Sequence, residues 1–507
     1  MKNRSKEYVT VASIIVLLLI AFASFDQLGA ANPVKKDNSG FLKIVEDYAN
    51  AMIKQGRDHY GKEYSPLFAS ALNRETMKLG TKVEFGSIEG VRETDRALGG
   101  ANPLSDKELL QILYKLTDLT GDKKYAKEAD DALGFFFSHC QSPATGLMCW
   151  GEHLYWDFYS EACAHAPNFD IHETEVWPFW DQCYKLAPDA CWKFAIGEWD
   201  HQIFDKMTGD FSRHAKWSEH GPKSGFEFPR YAGQMIERWA DAYSRKENFN
   251  RERRDELLTA IELLFRRMEE NTKLTKSGYL PAGRAIEGDH INVVWLTSNL
   301  ELARCLENAA HLMDTEMATR MKKFALQQDI NFLNAPHNFD SIGGGFAVTL
   351  HAETGKPRTR SMNKPYSTEW GSGYGYGPHA GTANLCYQRY SRLYAEYPEL
   401  AQKYRALMLV AANKYLESSP DTSQLLKPDV FSDVIELMLN SYETTGDEVY
   451  LDRANYFGQL GVNIFLPDGL PLPRATNKHS HYEAMTGGPD FMYELLKIHL
   501  VTMTEAK

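Results

Sequence analysis

Three short segments hold the residues whose types and spacing could do chemistry. They are Met148 to Asp157, which contains Trp150-Gly151-Glu152-His153; Asp170 to Glu175, which contains His172-Glu173-Thr174-Glu175; and Phe211 to Trp217, which contains Arg213-His214-Ala215-Lys216. Together they offer an imidazole from His153, a carboxylate from Glu173 and an imidazole from His214. That mixed nitrogen and oxygen set suits a divalent transition ion such as Mn²⁺, whereas calcium prefers an all-oxygen shell. Glu175, two residues beyond Glu173, is an equal candidate for the carboxylate. No Cys-x-x-Cys pair occurs, which disfavours a thiolate zinc knuckle. The plain structural alternative is that each histidine is a satisfied residue beside a tryptophan, and that Glu173 is an exposed carboxylate at a helix start.

In order and approximate spacing, His153 in W-G-x-H, Glu173 in H-E and the adjacent Arg213-His214 resemble the family-two pectate lyases. The stretch Tyr482-Glu483-Ala484-Met485-Thr486-Gly487-Gly488 resembles them more loosely. The resemblance implies an (α/α) barrel and metal-dependent cleavage of polygalacturonate. It implies His153, Glu173 and His214 as metal ligands and Arg213 as the base. The chemistry is coherent with that: β-elimination removes the proton at C5, alpha to the carboxylate, and expels the oxygen at C4, so negative charge must be spread on the carboxylate. An arginine, with a reference pKa of roughly 12.5 or more, takes that proton only where burial and neighbouring positive charge disfavour its charged form. The alternative for Arg213 is a salt bridge or a clamp on the substrate carboxylate.

Lys216, Arg230, Arg284, Arg358, Arg360 and Lys364 are further candidates for uronate contacts. Trp156, Trp217, Tyr366, Trp370, Tyr374 and Tyr376 are candidate sugar platforms or plain packing. Two rivals remain open at this point. One is a metal-independent (α/α) glycoside hydrolase with a carboxylate pair drawn from Glu152, Asp157, Glu173, Glu175 or Glu369. The other is a non-catalytic sugar-binding protein.

The elements that must position these residues read as paired helices. From Leu104 to Phe137, Ser105 and Glu108 form a capping box and Leu109, Ile112, Leu113 and Leu116 recur at helical spacing. Thr120-Gly121-Asp122 ends that helix and starts a second, carrying Tyr125, Ala129, Ala132, Leu133 and Phe136. The same pattern returns around Thr445-Gly446-Asp447 with Tyr450, and more loosely at Thr486-Gly487-Gly488. Six or seven such hairpins, none able to bury its apolar face alone, predict an all-α toroid over residues 33–507. A small β-rich insertion is expected where Gly343 to Leu350 meets the turn Glu353-Thr354-Gly355-Lys356. Helical periodicity lapses between Cys140 and Gly233 and between Ser341 and His379, where a toroid would carry its site.

A chain of 507 residues, 43% hydrophobic with a net charge of −12, has a large core and no dense basic stripe, which argues against a nucleic-acid partner. The expected partner is an anionic polysaccharide or oligosaccharide held by local positive charge. Lys2, Arg4 and Lys6 precede an apolar run from Val9 to Phe25, so residues 1–30 read as a signal peptide, or a tether if uncleaved, and the protein as exported. Seven cysteines, five of them between Cys140 and Cys191, fit an oxidising compartment with one or two disulfides.

Overall fold

The computed structural model describes residues 39–165, 177–213, 215, 217, 227–245, 251–285, 287–341, 343–359, 365–370 and 379–505. Among them the helices pair along the chain. The pairs are α3 (Lys107–Thr120) with α4 (Lys124–His139), α5 (Trp180–Leu186) with α6 (Pro188–His201), and α7 (Pro229–Ser244) with α8 (Arg251–Asn271). They continue with α9 (Leu296–Ala310) and α10 (Thr315–Leu333), α11 (His379–Leu393) and α12 (Pro398–Glu417), and α13 (Pro428–Thr445) and α14 (Glu448–Phe465). The last pair joins the two ends of this unit, α15 (Gly488–Glu505) against α1 (Ser39–Gln55). Helices α15, α13, α11, α9 and α7 contact one another in succession, and α3 meets α15, while α6 and α4 complete the circuit from α7 back to α3. The result is the expected toroid, with seven hairpins of which one is made by the chain ends. Tyr48 of α1 and Tyr482, whose hydroxyls lie 3.0 Å apart, mark that closure.

The inner faces follow the periodicity. Leu109, Leu110, Ile112, Leu113 and Leu116 of α3 are buried, and full burial of such a side chain contributes roughly 1.5–3 kcal/mol. Gly121 and Gly446 both end their helices in the left-handed conformation, with φ of 72° and 69°, their N–H groups donating to the carbonyls of Thr117 and Tyr442. Asp447 then accepts from Val449 N at 3.1 Å to begin α14, and Asp122 from Lys124 N at 3.0 Å to begin α4.

The capping box expected at Ser105 and Glu108 does not form. Asp106 is the N-terminal cap residue of α3 and makes no side-chain bond to the helix, because its carboxyl is turned to the Ser70 hydroxyl at 2.7 Å. The small β-rich insertion is present and also pairs with a distant segment. Among the described residues β8 (Thr349–His351) runs antiparallel to β7 (Val293–Trp295), Leu350 bridges Pro357 across the turn Glu353 to Lys356, and Gly355 in that turn has φ 65°. Gly344 leaves room for a close backbone approach, since a Cβ there would sit 2.0 Å from the Asn338 carbonyl oxygen.

Two further ladders matter for the site. A three-stranded sheet joins β2 (Gly100–Ala101), β3 (Leu154–Asp157) and β4 (Ala162–His165), and the short strands β5 (Ile203–Asp205) and β6 (Asp210–Phe211) pair across a turn with Gly209 at φ 73°. The cysteines give one disulfide, Cys149–Cys163, which ties the segment before β3 to β4; Cys140, Cys183, Cys191, Cys305 and Cys386 are free and buried.

Candidate active site

Glu152 and His153 sit at the entry to β3, and their position follows from the residues just before them. Trp150 is fully buried, with its ring 4.6 Å from Trp177 and 5.6 Å from Phe136, so the chain is anchored in the core at that point. Gly151 follows at φ 114°, in the region that favours glycine. Asn102, beside β2, clamps it from both sides: its amide donates to Gly151 O at 2.7 Å and its Oδ1 accepts from Gly151 N at 3.3 Å. Beyond His153 the pairing of β3 with β4 and the Cys149–Cys163 bridge fix the strand.

The carboxylate beside His153 comes from a segment that sequence reasoning did not single out. A short 3₁₀ turn, Glu93–Asp95, places Asp95 Oδ1 2.5 Å from His153 Nδ1, both side chains being almost wholly buried. Arg92 Nε donates to the other Asp95 oxygen at 2.9 Å, and Arg92 also pairs with Glu152. Burial alone would raise the Asp95 carboxyl, but the bonds from His153 and Arg92 outweigh it and hold it below its ordinary value. The ligand atoms of Asp95, Glu152 and His153 lie within 4.8 Å of one another, one imidazole and two carboxylates. The only sequence signal for Asp95 is a run of charge, Arg92-Glu93-Thr94-Asp95-Arg96, without helical period ahead of Gly99-Gly100.

Arg213 reaches the same place from β6. The chain leaves that strand with Ser212 N bonded to Gln202 O, and Gln202 Nε2 also reaches toward the carbonyls of Ser212 and Arg213. The Arg213 guanidinium is largely buried, with Nη1 3.0 Å from Glu152 Oε2 and 3.4 Å from the Tyr231 hydroxyl, and it lies over the Phe228 ring at 5.0 Å. Arg230 Nη2 donates to that same Tyr231 hydroxyl at 2.8 Å. Two arginines therefore converge on one tyrosine beside the Glu152-His153 turn, and Tyr231 joins Asp95 and Arg92 as a residue that spacing did not reveal.

Of the predicted site residues, the structure brings together His153, Arg213 and Arg230. Glu173, His214, Lys216 and Lys364 lie outside the described residues, as do His172, Glu175, Arg360, Tyr374 and Tyr376. Trp217 is half-buried against the core, its indole N–H on the Cys140 carbonyl at 3.3 Å and its own carbonyl taken by Thr145 Oγ1 at 2.6 Å. Trp156 is buried in β3, and Trp370 packs against Tyr415, Phe431 and Phe457. Arg284 is engaged by Asn271 and Glu270, and Arg358 by Asp289. Among the carboxylates weighed for hydrolysis, Asp157 accepts three bonds from Tyr159 and Ser160 in the β3–β4 turn, and Glu369 pairs with Lys414 at 2.8 Å.

A cleft of about 270 Å³ opens in front of Asp95 and Glu152, lined also by Asn102, Gly151, Glu108 and Asp429. Its size falls just under the range of about 300–1,000 Å³ usual for ligand sites.

Residues 65–263 match the family model described as periplasmic pectate lyase. The match contains every described residue of the site, from Arg92 to Tyr231, and bears out the resemblance carried by Trp150 to Lys216. It supports an enzyme acting on polysaccharide. Its description as periplasmic agrees with export, and no helix among the described residues is long and apolar enough to cross a membrane. Among solved structures the chain is similar to a D-mannose isomerase, at 10% identity and a TM-score of 0.46 over 92% of this chain and 100% of that one. It is also similar to the cellobiose 2-epimerase of Bacillus thermoamylovorans B4167, at 8% and 0.46 over 91% and 100%. A third is the unsaturated glucuronyl hydrolase of Bacillus sp. GL1, at 13% and 0.42 over 92% and 97%. Likeness at these scores carries no argument about activity.

Proposed function

We propose that the chain is an exported, metal-dependent polysaccharide lyase that cleaves a uronate-rich polymer, polygalacturonate in the first instance, by β-elimination. The observation that supports this reading is the cluster of His153, Asp95 and Glu152, with Arg213 paired to Glu152, inside the segment that matches the pectate lyase family.

The donor set fits a divalent ion of the first transition row. His153 would contribute a nitrogen and Glu152 an oxygen, while Asp95, 2.5 Å from the ring, would orient it. Glu173 and His214 complete the set that the family order implies. An ion bound there supplies Lewis-acid polarisation of the substrate carboxylate, which acidifies the C5 proton. The remaining work falls to the chain itself. Arg213 is the proposed base for that proton, and Glu152 holds it as a charged partner at rest. To take the C5 proton, Arg213 must leave Glu152, give one guanidinium proton to solvent and face the sugar as the neutral guanidine. Arg213 lies over the Phe228 ring and shares the Tyr231 hydroxyl with the like charge of Arg230. Arg230 is the proposed clamp for a uronate carboxylate.

The hydrolase alternative draws less support. Asp95 and Glu152 are close enough for a carboxylate pair, but a general acid has to carry a proton, and both groups are held by arginines that favour the ionised form. The test is incubation with polygalacturonate, alginate and glucuronan, with and without Mn²⁺, following absorbance of the unsaturated product. Appearance of that product on polygalacturonate and its loss on chelation support the reading. Reducing ends released without unsaturation, and unaffected by chelator, would replace it with hydrolysis.

A further inference from the structure

The two ends of the toroid meet at a short ladder, β1 (Ala71–Leu72) against β9 (Tyr482–Glu483), with Ala71 opposite Glu483. The loop that leaves β1 and the loop that arrives at β9 enclose a cleft of about 380 Å³, within the usual range for ligand sites. It shares no lining residue with the cleft in front of Asp95 and Glu152.

We propose that this cleft is a second saccharide-binding site, for a short oligosaccharide that carries a carboxylate.

The cleft has one rigid wall. Arg74 is buried and spends its guanidinium on Asp468, through two bonds of 2.7 and 3.0 Å, and on the Leu472 carbonyl at 2.6 Å. Those bonds hold the Asp468 carboxyl far below its ordinary value, so it stays an acceptor at any working pH. Phe85 and His481 line the cleft as well, buried, with their rings stacked on each other 4.2 Å apart and 5° from parallel. His481 is fixed by Glu483 at 2.8 Å through Nε2, which leaves Nδ1 as its remaining polar atom.

The opposite wall carries positive charge. Arg474 touches Asp468 only through Nη2, at 3.2 Å, and its buried Nε has no partner among the described residues. Lys478 lines the same wall, exposed, with no ion pair to its ammonium among the described residues. Burial, together with the positive field of His481 and Arg96, lowers His479 from its ordinary value, as expected beside such a wall.

The mixture decides the ligand class. Asp468, Glu84 and Glu75 would repel a bare inorganic anion, yet carboxylates are the acceptors that vicinal hydroxyls require. The carboxylate of a sugar acid would take Arg474 and Lys478, and its hydroxyls the Asp468 side. The cleft is also tied to the catalytic region. Arg96 grips Glu483 at 2.7 and 2.9 Å and the Gly86 carbonyl at 2.6 Å, and the next residue back is Asp95.

The proposal rests on the cleft and takes only its probe, a uronate, from the lyase reading. The experiment is calorimetric titration of the chelator-treated chain with digalacturonate, galactobiose and inorganic phosphate, repeated on Arg474→Gln/Lys478→Gln. Digalacturonate is expected to bind, and the double variant to weaken it by about tenfold or more, as for loss of a charged hydrogen bond. The thermal midpoint and the turnover of a short oligogalacturonate should be unchanged. Should the double variant fold poorly, Lys478→Gln alone, at an exposed position, should still weaken binding measurably. Undiminished binding in the variants overturns the proposal, and so does phosphate or galactobiose binding as tightly as digalacturonate. If no uronate is turned over while digalacturonate binding still depends on Arg474 and Lys478, the lyase reading fails and the second site stands.

Discussion

Asp95→Asn is the substitution that most directly tests how the site is held. The exchange keeps the side chain's volume and removes one charge from a pair in which His153 and Asp95 are almost wholly buried. That charge is present in the folded protein, because His153 and Arg92 hold the carboxyl below its ordinary value against the cost of burial. An asparagine can still accept from Nδ1, but it no longer stabilises the imidazole as a donor to an ion. Loss of such an outer partner costs about 10–100-fold in metal affinity, or roughly 1.4–2.7 kcal/mol. The cost to folding should be small, since Arg92 is 45% exposed and keeps Glu152. The assay is turnover of polygalacturonate against buffered free Mn²⁺, with bound metal measured in parallel. The activation curve should move about 10–100-fold to higher metal, with a plateau close to that of the parent. Superimposable curves would show that Asp95 does not orient His153 for a metal. A variant that never reaches the parent plateau at any metal concentration would make Asp95 part of the reacting site itself.

Three other substitutions test the rest. Arg213→Ala should bind metal normally and lose roughly 10²–10⁴-fold in kcat, with Arg213→Lys recovering part of it as pH rises; a loss confined to KM would make Arg213 a clamp. Asp106→Asn tests a buried carboxyl whose Oδ1 has no partner among the described residues and which burial pushes up to about 7 despite the Ser70 bond. Because the folded chain holds that proton more tightly than the unfolded one, stability should fall as pH rises from about 4 to 7, by at most on the order of 4 kcal/mol, and stay level above that. Asp106→Asn should abolish that part of the slope in thermal unfolding at pH 5 and pH 8, and an unchanged slope removes Asp106 as its source. Cys149→Ser should lower stability by up to about 3 kcal/mol, the entropy of a loop of that length, and weaken metal binding through β3; equal metal affinity with and without reductant would separate the bridge from the site.

What was legible in the sequence follows from how local each device is. Helix periodicity, and the glycine caps at Gly121 and Gly446, are written within a few residues, so the hairpins and their stacking could be read directly. The capping box at Ser105 and Glu108 is absent because the helix starts one residue later, with Asp106 at the cap and Ser105 N bonded to the Asn102 carbonyl. The site divides the same way. His153 and Arg213 stand in short motifs whose spacing is visible, and they do meet beside Glu152. Asp95 is 58 positions before His153, in a turn with no periodicity, and nothing in its neighbours' types announces the contact. Tyr231 was visible only as the residue after Arg230, although its hydroxyl is where the two arginines meet.

The site stands on the turns that flank short strands, within an otherwise helical ring. An inner helix presents side chains 1.5 Å apart along its axis and on a turning face, whereas a turn clamped to a sheet can hold two consecutive residues in one direction. Glu152 and His153 must face the same pocket although they are neighbours in sequence, which a regular strand forbids because successive side chains point oppositely. Gly151 at φ 114°, gripped by Asn102, turns the chain ahead of β3 so that both reach the pocket before alternation begins at Leu154. The disulfide and the β2–β3–β4 pairing then hold that turn against the pull of the charges it gathers.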